Sequence, residues 1–258
     1  MLSPFDSGGL QSPFGNGASL PYLSDDNTFV WNFTAADITV DETGTDSIAD
    51  VPEMARGTSY SFKQPTKASQ PLLNAEGAEF TSAGPLDMET VTGGTPTFNG
   101  SQGFYIAALY KMDAAAAGNQ TQLKVYESVS TGRNGRFQAI PLSYGGHEAR
   151  SYGVETDNND FTDRIRPSVS AAYGTWRLHE WLHDIDGSTI RYWQDGVEDL
   201  SATLFTAYTG STLDATDSLG MVVAPFMDGI VKAVSVYDQP IPDANRESIS
   251  AYLMSIKP

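Results

Sequence analysis

Short runs of β-branched and aromatic residues, set apart by Asx-Gly dipeptides, restrict this chain more than any other feature. The runs are Thr28 to Phe33, Gly103 to Tyr110, Gln122 to Val129, Thr189 to Gln194, Leu219 to Val223 and Ile230 to Tyr237. Between or beside them stand Asn99-Gly100, Asn134-Gly135, Asp186-Gly187, Asp195-Gly196 and Asp228-Gly229. Side chains of the first kind fit a pleated, half-buried surface. Asn-Gly and Asp-Gly supply the positive φ that tight hairpin turns demand. Many such strands with little helix between them predict an all-β sandwich. The 258 residues, 40% of them hydrophobic, suffice for one large core. Residues 34–97 hold much of the Pro, Ser and Thr and predict long loops and short strands of the same domain. One helix is expected, over Pro242 to Ile256. Asp243 is its expected cap, and Ile249, Tyr252, Leu253 and Ile256 share one face.

One stretch argues for different chemistry. Residues 178–184 read L-H-E-W-L-H-D, so His179, Glu180 and His183 spell H-E-x-x-H. In a zinc protease those histidines sit one helical turn apart and share an ion, while the glutamate faces the metal-bound water. On a strand, positions i and i+4 stand about 13 Å apart and cannot share a metal. Leu178, Trp181, Leu182 and Ile185 fit a helical stripe. The flanks fit a hairpin better: Asp186-Gly187 gives a turn, Thr189 to Gln194 a strand, and Asp195-Gly196 a second turn. The remaining histidine, His147, has no recognisable ligand context. The expectation is a strand with His179, Trp181 and His183 on one face and Glu180 on the other.

Charge and composition exclude several functions. Lys and Arg number 15 against 32 Asp and Glu, a net charge of −17. Such a chain repels phosphate backbones and anionic membranes, which argues against nucleic-acid partners. No cysteine is present, which removes disulfides, thiolate catalysis and Cys-ligated metals. No run approaches the ~18 apolar residues of a membrane helix. The first ten residues lack the basic and apolar regions of a secretory signal. The expectation is a soluble chain made in a cytoplasm, without membrane insertion.

Residues 1–27 stand apart. Ser-Pro-Phe occurs at residues 3–5 and again at 12–14, each time followed by a Gly-containing segment. Pro and Gly oppose regular structure there. Yet Leu2, Phe5, Leu10, Phe14, Leu20 and Tyr22 are apolar in a way a plain linker is not. The expectation is an extended docking arm, with Phe5, Leu10, Phe14 and Tyr22 as its contact residues, ahead of a domain over 28–258.

At the hairpin the sequence resembles the laminin-G-like, concanavalin A-like jelly rolls. The shared order is Gly174-Thr175-Trp176, a strand, Asp186-Gly187, a strand carrying Arg191-Tyr192, then Asp195-Gly196. Family members often separate that Arg and Tyr by one residue, a small departure. The end is similar too: Asp228-Gly229, a strand closing on Val234 to Asp238, a short turn and a helix. Two stretches, V-W-N-F-T-A-A-D and Pro65 to Asn74, are similar to openings of jelly-roll proteins from tailed-phage genomes. The resemblance covers about residues 28–258. It implies a jelly-roll β-sandwich of two antiparallel sheets with a short C-terminal helix. It further implies a non-catalytic virion protein, in a tail fibre or as a decoration protein, exposed on the particle. The arm would hold it to other virion proteins, and the sandwich would bind a host-surface glycan or a protein, as a homo-oligomer.

Three kinds of site follow as expectations. Aromatics outside the core pattern make a candidate carbohydrate platform: Trp193 with Arg191, joined by Tyr152, His147 and Arg150. Family members often hold calcium on rim loops, and Asp157, Asn159, Asp160 and Asp163 could supply oxygens, though not at EF-hand spacing. No other cofactor is expected. Retaining glucanases of this fold carry E-x-D-x-x-E, with two carboxylates flanking the scissile bond. The nearest match, Glu155 to Asp160, ends in Asp and has polar residues where β-formers belong, so a solvated acidic loop is expected and no catalytic residue is assigned.

Overall fold

The structure is a computed structural model. It describes residues 28–32, 39–40, 48–52, 60–63, 66–80, 86–90, 99–100, 103–113, 123–126, 135–141, 147–151, 163–166, 168, 173–184, 186–187, 189–201, 203–204, 213–214, 220–223, 228–237 and 239–258. The expected arm over 1–27 lies outside them.

Two antiparallel sheets form a jelly-roll sandwich. Eight strands make the first sheet. In chain order they are β1 (Thr28–Asn32), β2 (Leu72–Leu73), β3 (Ala78–Phe80), β4 (Gly103–Met112), β5 (Trp176–Asp184), β6 (Thr189–Gln194), β7 (Val197–Glu198) and β8 (Gly229–Tyr237). Across the sheet the order is β7-β6-β5-β4-β8-β3-β2, and β1 pairs with β8. β1 and β3 share the outer side of β8: β3 pairs with residues 229–231 and β1 with residues 233–237. The second sheet has ten strands. Across it run residues 203–204, 163–166, 147–151, 135–141, 123–126, 220–223, 86–90, 60–63, 48–52 and 39–40. Residues 163–166 approach β6, where the two sheets draw together.

Strand parity explains why the first sheet sits at the centre. Every described residue of β4 except Lys111 is buried, and only Arg177 and Asp184 of β5 are not. One face carries Tyr105, Ala107 and Leu109 of β4, Leu178 and Leu182 of β5, and Trp193 of β6. The helix α1 (Asp243–Ser255) covers it with Ile249, Tyr252 and Leu253, and Ile256 packs at its end. The opposite face carries Phe104, Ile106, Ala108, Trp181, Tyr192, Val234 and Val236, all buried, against the second sheet. A sheet sealed on both sides must be apolar at both parities. Each large side chain so buried is worth about 1.5–3 kcal/mol, which makes β4, β5 and β8 the most deeply buried of the described strands.

The helix lies where the spacing predicts, but its expected cap is corrected. Pro242 holds the cap position, and no side chain caps the first turn. Asp243 is already helical, and its carboxylate accepts a hydrogen bond from Arg191 at 3.0 Å instead. The Asp195-Gly196 turn behaves as its residues require, both at positive φ (52° and 78°). The Asp195 carboxylate also accepts from Arg177, from the Leu178 amide (3.0 Å) and from Lys257 (3.2 Å), tying the end of the chain to the hairpin. Among the described residues no helix is long and apolar enough to cross a membrane.

Candidate functional site

The H-E-x-x-H residues lie on β5, an extended strand, as the hairpin reading expects. His179 stands opposite Ala108 and Gln194, whereas His183 stands opposite Phe104 and Ile190, four residues along the same strand. At that separation, about 13 Å, they cannot share an ion. Each imidazole is instead absorbed into the core between the sheets. His179 is fully buried and stacks on the Tyr110 ring, centroids 4.7 Å apart and planes within 9°. Its Nδ1 lies 2.5 Å from the Tyr192 hydroxyl. His183 presents its ring at 89° to Phe104, 5.1 Å away. Among the described residues no group of three or more His, Asp or Glu is placed to hold a metal.

Glu180, between them, faces the other way and meets the helix. It too is fully buried. Its carboxylate accepts hydrogen bonds from the Tyr105 hydroxyl (2.7 Å), the Ser250 hydroxyl (3.0 Å) and the Arg246 guanidinium (3.4 Å). Burial pushes its pKa above the usual carboxylate range, and Tyr105, Arg246 and Ser250 pull it part of the way back. The Tyr105 hydroxyl is raised well above its ordinary value, by burial first and by the Glu180 charge second. This glutamate therefore seats a helix and does not face a substrate.

Sequence reasoning missed this cluster, although a signal was present. Glu180 occupies the parity of Leu178 and Leu182, a charge at a core position. Arg246 and Ser250 fall on the Ile249–Leu253 stripe of α1, at i, i+4 spacing from each other. A lone carboxylate at one buried parity and a lone guanidinium on one buried helical stripe are natural partners.

The expected carbohydrate platform does not come together. Trp193 and Arg191 do share a face, and Arg191 lies over the indole, 4.6 Å from the ring centroid. But Trp193 is 2% exposed, packed in the core under α1, with Arg246 also over its ring at 4.5 Å. No open indole face remains for a sugar, which corrects that assignment. Arg191 is engaged as well, bidentate on Glu198 at 2.8 and 2.7 Å and bonded to Asp243. His147 and Arg150 lie on the 147–151 strand of the second sheet, in register with Pro141 and Gln138. They belong to a different layer from the α1-covered face that holds Trp193. Tyr152 lies outside the described residues, as do Asp157, Asn159 and Asp160 of the expected calcium loop and Glu155. Asp163 opens the 163–166 strand opposite Ser151.

This architecture is a jelly-roll β-sandwich, and solved structures share it. A Trypanosoma rangeli sialidase in complex with sialic acid matches it with a TM-score of 0.58 at 13% identity, covering 93% of this chain and 35% of the sialidase. The same sialidase with 2,3-difluorosialic acid matches at 0.56 and 12% identity, over 92% of this chain and 34% of that one. A Ruminococcus gnavus IT-sialidase CBM40 bound to α2,3-sialyllactose is a weaker likeness, with a TM-score of 0.43 at 13% identity over 60% of this chain and 82% of the module. No protein-family model and no curated protein sequence matches the chain. At these identities the likeness is one of fold, and the chain spans about a third of the sialidase's length.

Proposed function

We propose that this protein is a non-catalytic binding module exposed on a tailed-phage particle, made in the host cytoplasm and assembled as a homo-oligomer. Residues 1–27 anchor it to other virion proteins. The sandwich faces outward and holds a host-surface glycan. The observation that argues against the zinc-protease alternative is the fate of H-E-x-x-H: both imidazoles and the carboxylate are spent inside the core, on opposite faces of one sheet. The virion part rests on the likeness of V-W-N-F-T-A-A-D and residues 65–74 to phage jelly-roll openings.

Glycan binding draws support from the fold, which this chain shares with a sialidase that binds sialic acid. Charge then narrows the ligand. A chain of net charge −17 disfavours an anionic sugar, so neutral glycans are the favoured class. With Trp193 closed off, His147, Arg150 and Tyr152 remain the candidate contacts. Calcium held by Asp157, Asn159, Asp160 and Asp163 would order the neighbouring rim.

The test is a glycan array carrying neutral and sialylated sugars, with chromatography of the bound material afterwards. Retention of intact neutral glycans supports the reading. Release of shortened products means an enzyme, and retention of nothing removes the adhesive role. Deletion of residues 1–22 tests the anchor: a folded sandwich that no longer joins the particle supports it, and normal incorporation refutes it.

A further inference from the structure

We infer that α1 is a detachable cover on the first sheet, latched by the Glu180 cluster beneath it and loosened, with both sheets intact, as pH rises. The topology permits this movement. α1 takes no part in either sheet's ladder, so it can lift without unpairing a described strand. Its apolar hold is the stripe of Ile249, Tyr252 and Leu253. A helix of 13 residues with no side-chain cap is marginal alone in water, so α1 unwinds once it leaves its seat. The polar contacts beneath it are incompletely made. Arg246 is buried, yet its guanidinium reaches Glu180 only at 3.4 Å and Glu247 only at 3.6 Å. Among the described residues its Nε has no hydrogen-bond partner at all. A buried donor without a partner costs its desolvation, and lifting α1 returns this one to water. The cover is thus held by the apolar stripe and undercut by a buried charge, a balance that lets one element open before the whole.

Glu180 sets the direction of the response. Seated under α1, its carboxyl is pushed above the usual range by burial, which Tyr105, Arg246 and Ser250 offset in part. With α1 lifted, it faces water and keeps only Tyr105 of those three donors, so it returns toward the ordinary value of about 4.3. A proton therefore binds more tightly in the seated state: protonation holds the cover down and ionisation releases it. The other groups at the seat do not share this window. Arg191 and Arg246 stay charged, and the Tyr105 hydroxyl, beside the Tyr237 ring, is raised well above its ordinary value. Asp195 is raised by burial but drawn below the carboxylate range by the Leu178 amide, Arg177 and Lys257, and Glu198 is lowered by Arg191. Those two contribute with the opposite sign, and in full above the ordinary carboxylate values. Asp243 and Glu247 of α1 meet Arg191 and Arg246 with exposed carboxylates. His179 and His183 occupy the opposite face of β5 and stay buried when α1 lifts.

Native-state hydrogen exchange of the full chain tests this, read by mass spectrometry on peptides from α1, β4 and β5 between about pH 5 and 8. Protection is the intrinsic rate divided by the observed rate at each pH, under conditions where reclosing outruns exchange. α1 is expected to be less protected than β4 and β5 at every pH, because it opens while they stay paired. Its protection is expected to fall as pH rises, by up to about tenfold per unit, until Glu180 is ionised in the seated state. In Glu180→Gln the fall should vanish while α1 remains less protected than β4. Equal protection of α1 and β4 throughout means that the helix opens only with the whole fold. Flat or rising protection of α1 in the wild type means that Glu180 is not the latch. Either result overturns the inference, as does a Glu180→Gln chain that keeps the wild-type fall. Should that variant fail to fold, the wild-type profile decides by itself.

Discussion

The Glu180–Arg246 pair makes an asymmetric demand on stability that can be measured. Both partners are almost sealed from water, with side-chain exposures of 0% and 6%. Glu180→Leu removes the carboxylate and leaves a guanidinium that keeps its charge at any working pH. Among the described residues Arg246 then keeps the Glu247 carboxylate, 3.6 Å away and 70% exposed, and the Trp193 ring, 4.5 Å away. The Tyr105 and Ser250 hydroxyls lose their acceptor too. Breaking a buried pair from this side should cost about 3–5 kcal/mol. Arg246→Met leaves the other half. Glu180 retains Tyr105 and Ser250 and can shed its charge by taking a proton, a tendency burial already promotes. That change should cost about 1.5–3 kcal/mol, the worth of a hydrogen bond to a charged group. The fully apolar variant Tyr105→Phe/Glu180→Leu/Arg246→Met/Ser250→Ala should return to within about 1 kcal/mol of wild type or exceed it, because no charge is left to desolvate. Urea unfolding at pH 7, followed by tryptophan fluorescence, reads all of these. The reasoning fails if Arg246→Met costs as much as Glu180→Leu, or if the quadruple variant is no more stable than Glu180→Leu alone.

Other predictions follow from the same contacts. A carboxyl whose folded pKa is raised contributes stability that is complete below its ordinary value of about 4.3 and lost as pH climbs through the folded value; the stability of wild type relative to Glu180→Gln should therefore fall with rising pH above about 4.3, and a rise would contradict the burial argument. His179→Ala should cost about 2–4 kcal/mol by opening a cavity against Tyr110 and removing one partner of the Tyr192 hydroxyl; metal analysis of the wild type should find zinc at background, and stoichiometric zinc lost in the variant would restore the protease reading. At Gly103, φ is +114° and a Cβ would run into the His183 carbonyl, so Gly103→Ala should destabilise by about 1–3 kcal/mol in a thermal melt, whereas a neutral effect would deny the close approach of β4 to β5. Calcium titration should raise the melting temperature of wild type and not of Asp157→Asn/Asp160→Asn; an unchanged wild type removes calcium from the proposal.

Much of the first sheet was legible because its signals are local. Thr189 to Gln194 is an alternating run between two Asp-Gly turns, and it forms the strand with the bounds that run suggests. Gly103 to Tyr110 is apolar at both parities, which only a strand covered on both sides tolerates, and β4 extends two residues further, to Met112. The short strands over residues 39–90 carry no such run, and only their pairing in the two sheets reveals them. The candidate site was harder to read because its partners are remote. Glu180 meets Tyr105 from 75 positions away and Ser250 from 70, and no spacing rule spans that distance. The same remoteness misled the platform assignment: Trp193 and Arg191 were paired correctly by parity, but α1, some fifty residues on, closes the face they share.

Period decides what a motif can do. On a helix, H-E-x-x-H gathers three side chains around one point. On β5 the two-residue period sends His179 and His183 with Trp181 into the space between the sheets and turns Glu180 under α1. Each layer then solves a different problem. Between the sheets, two imidazoles act as flat aromatic fillers that pack on Tyr110 and Phe104. Under the helix, one carboxylate joins Arg246 and Ser250 of α1 to Tyr105 of β4. Seating α1 in turn places Asp243 against Arg191 and Lys257 against Asp195, so the hairpin edge that carries Val197 and Leu200 is held from both ends of the helix.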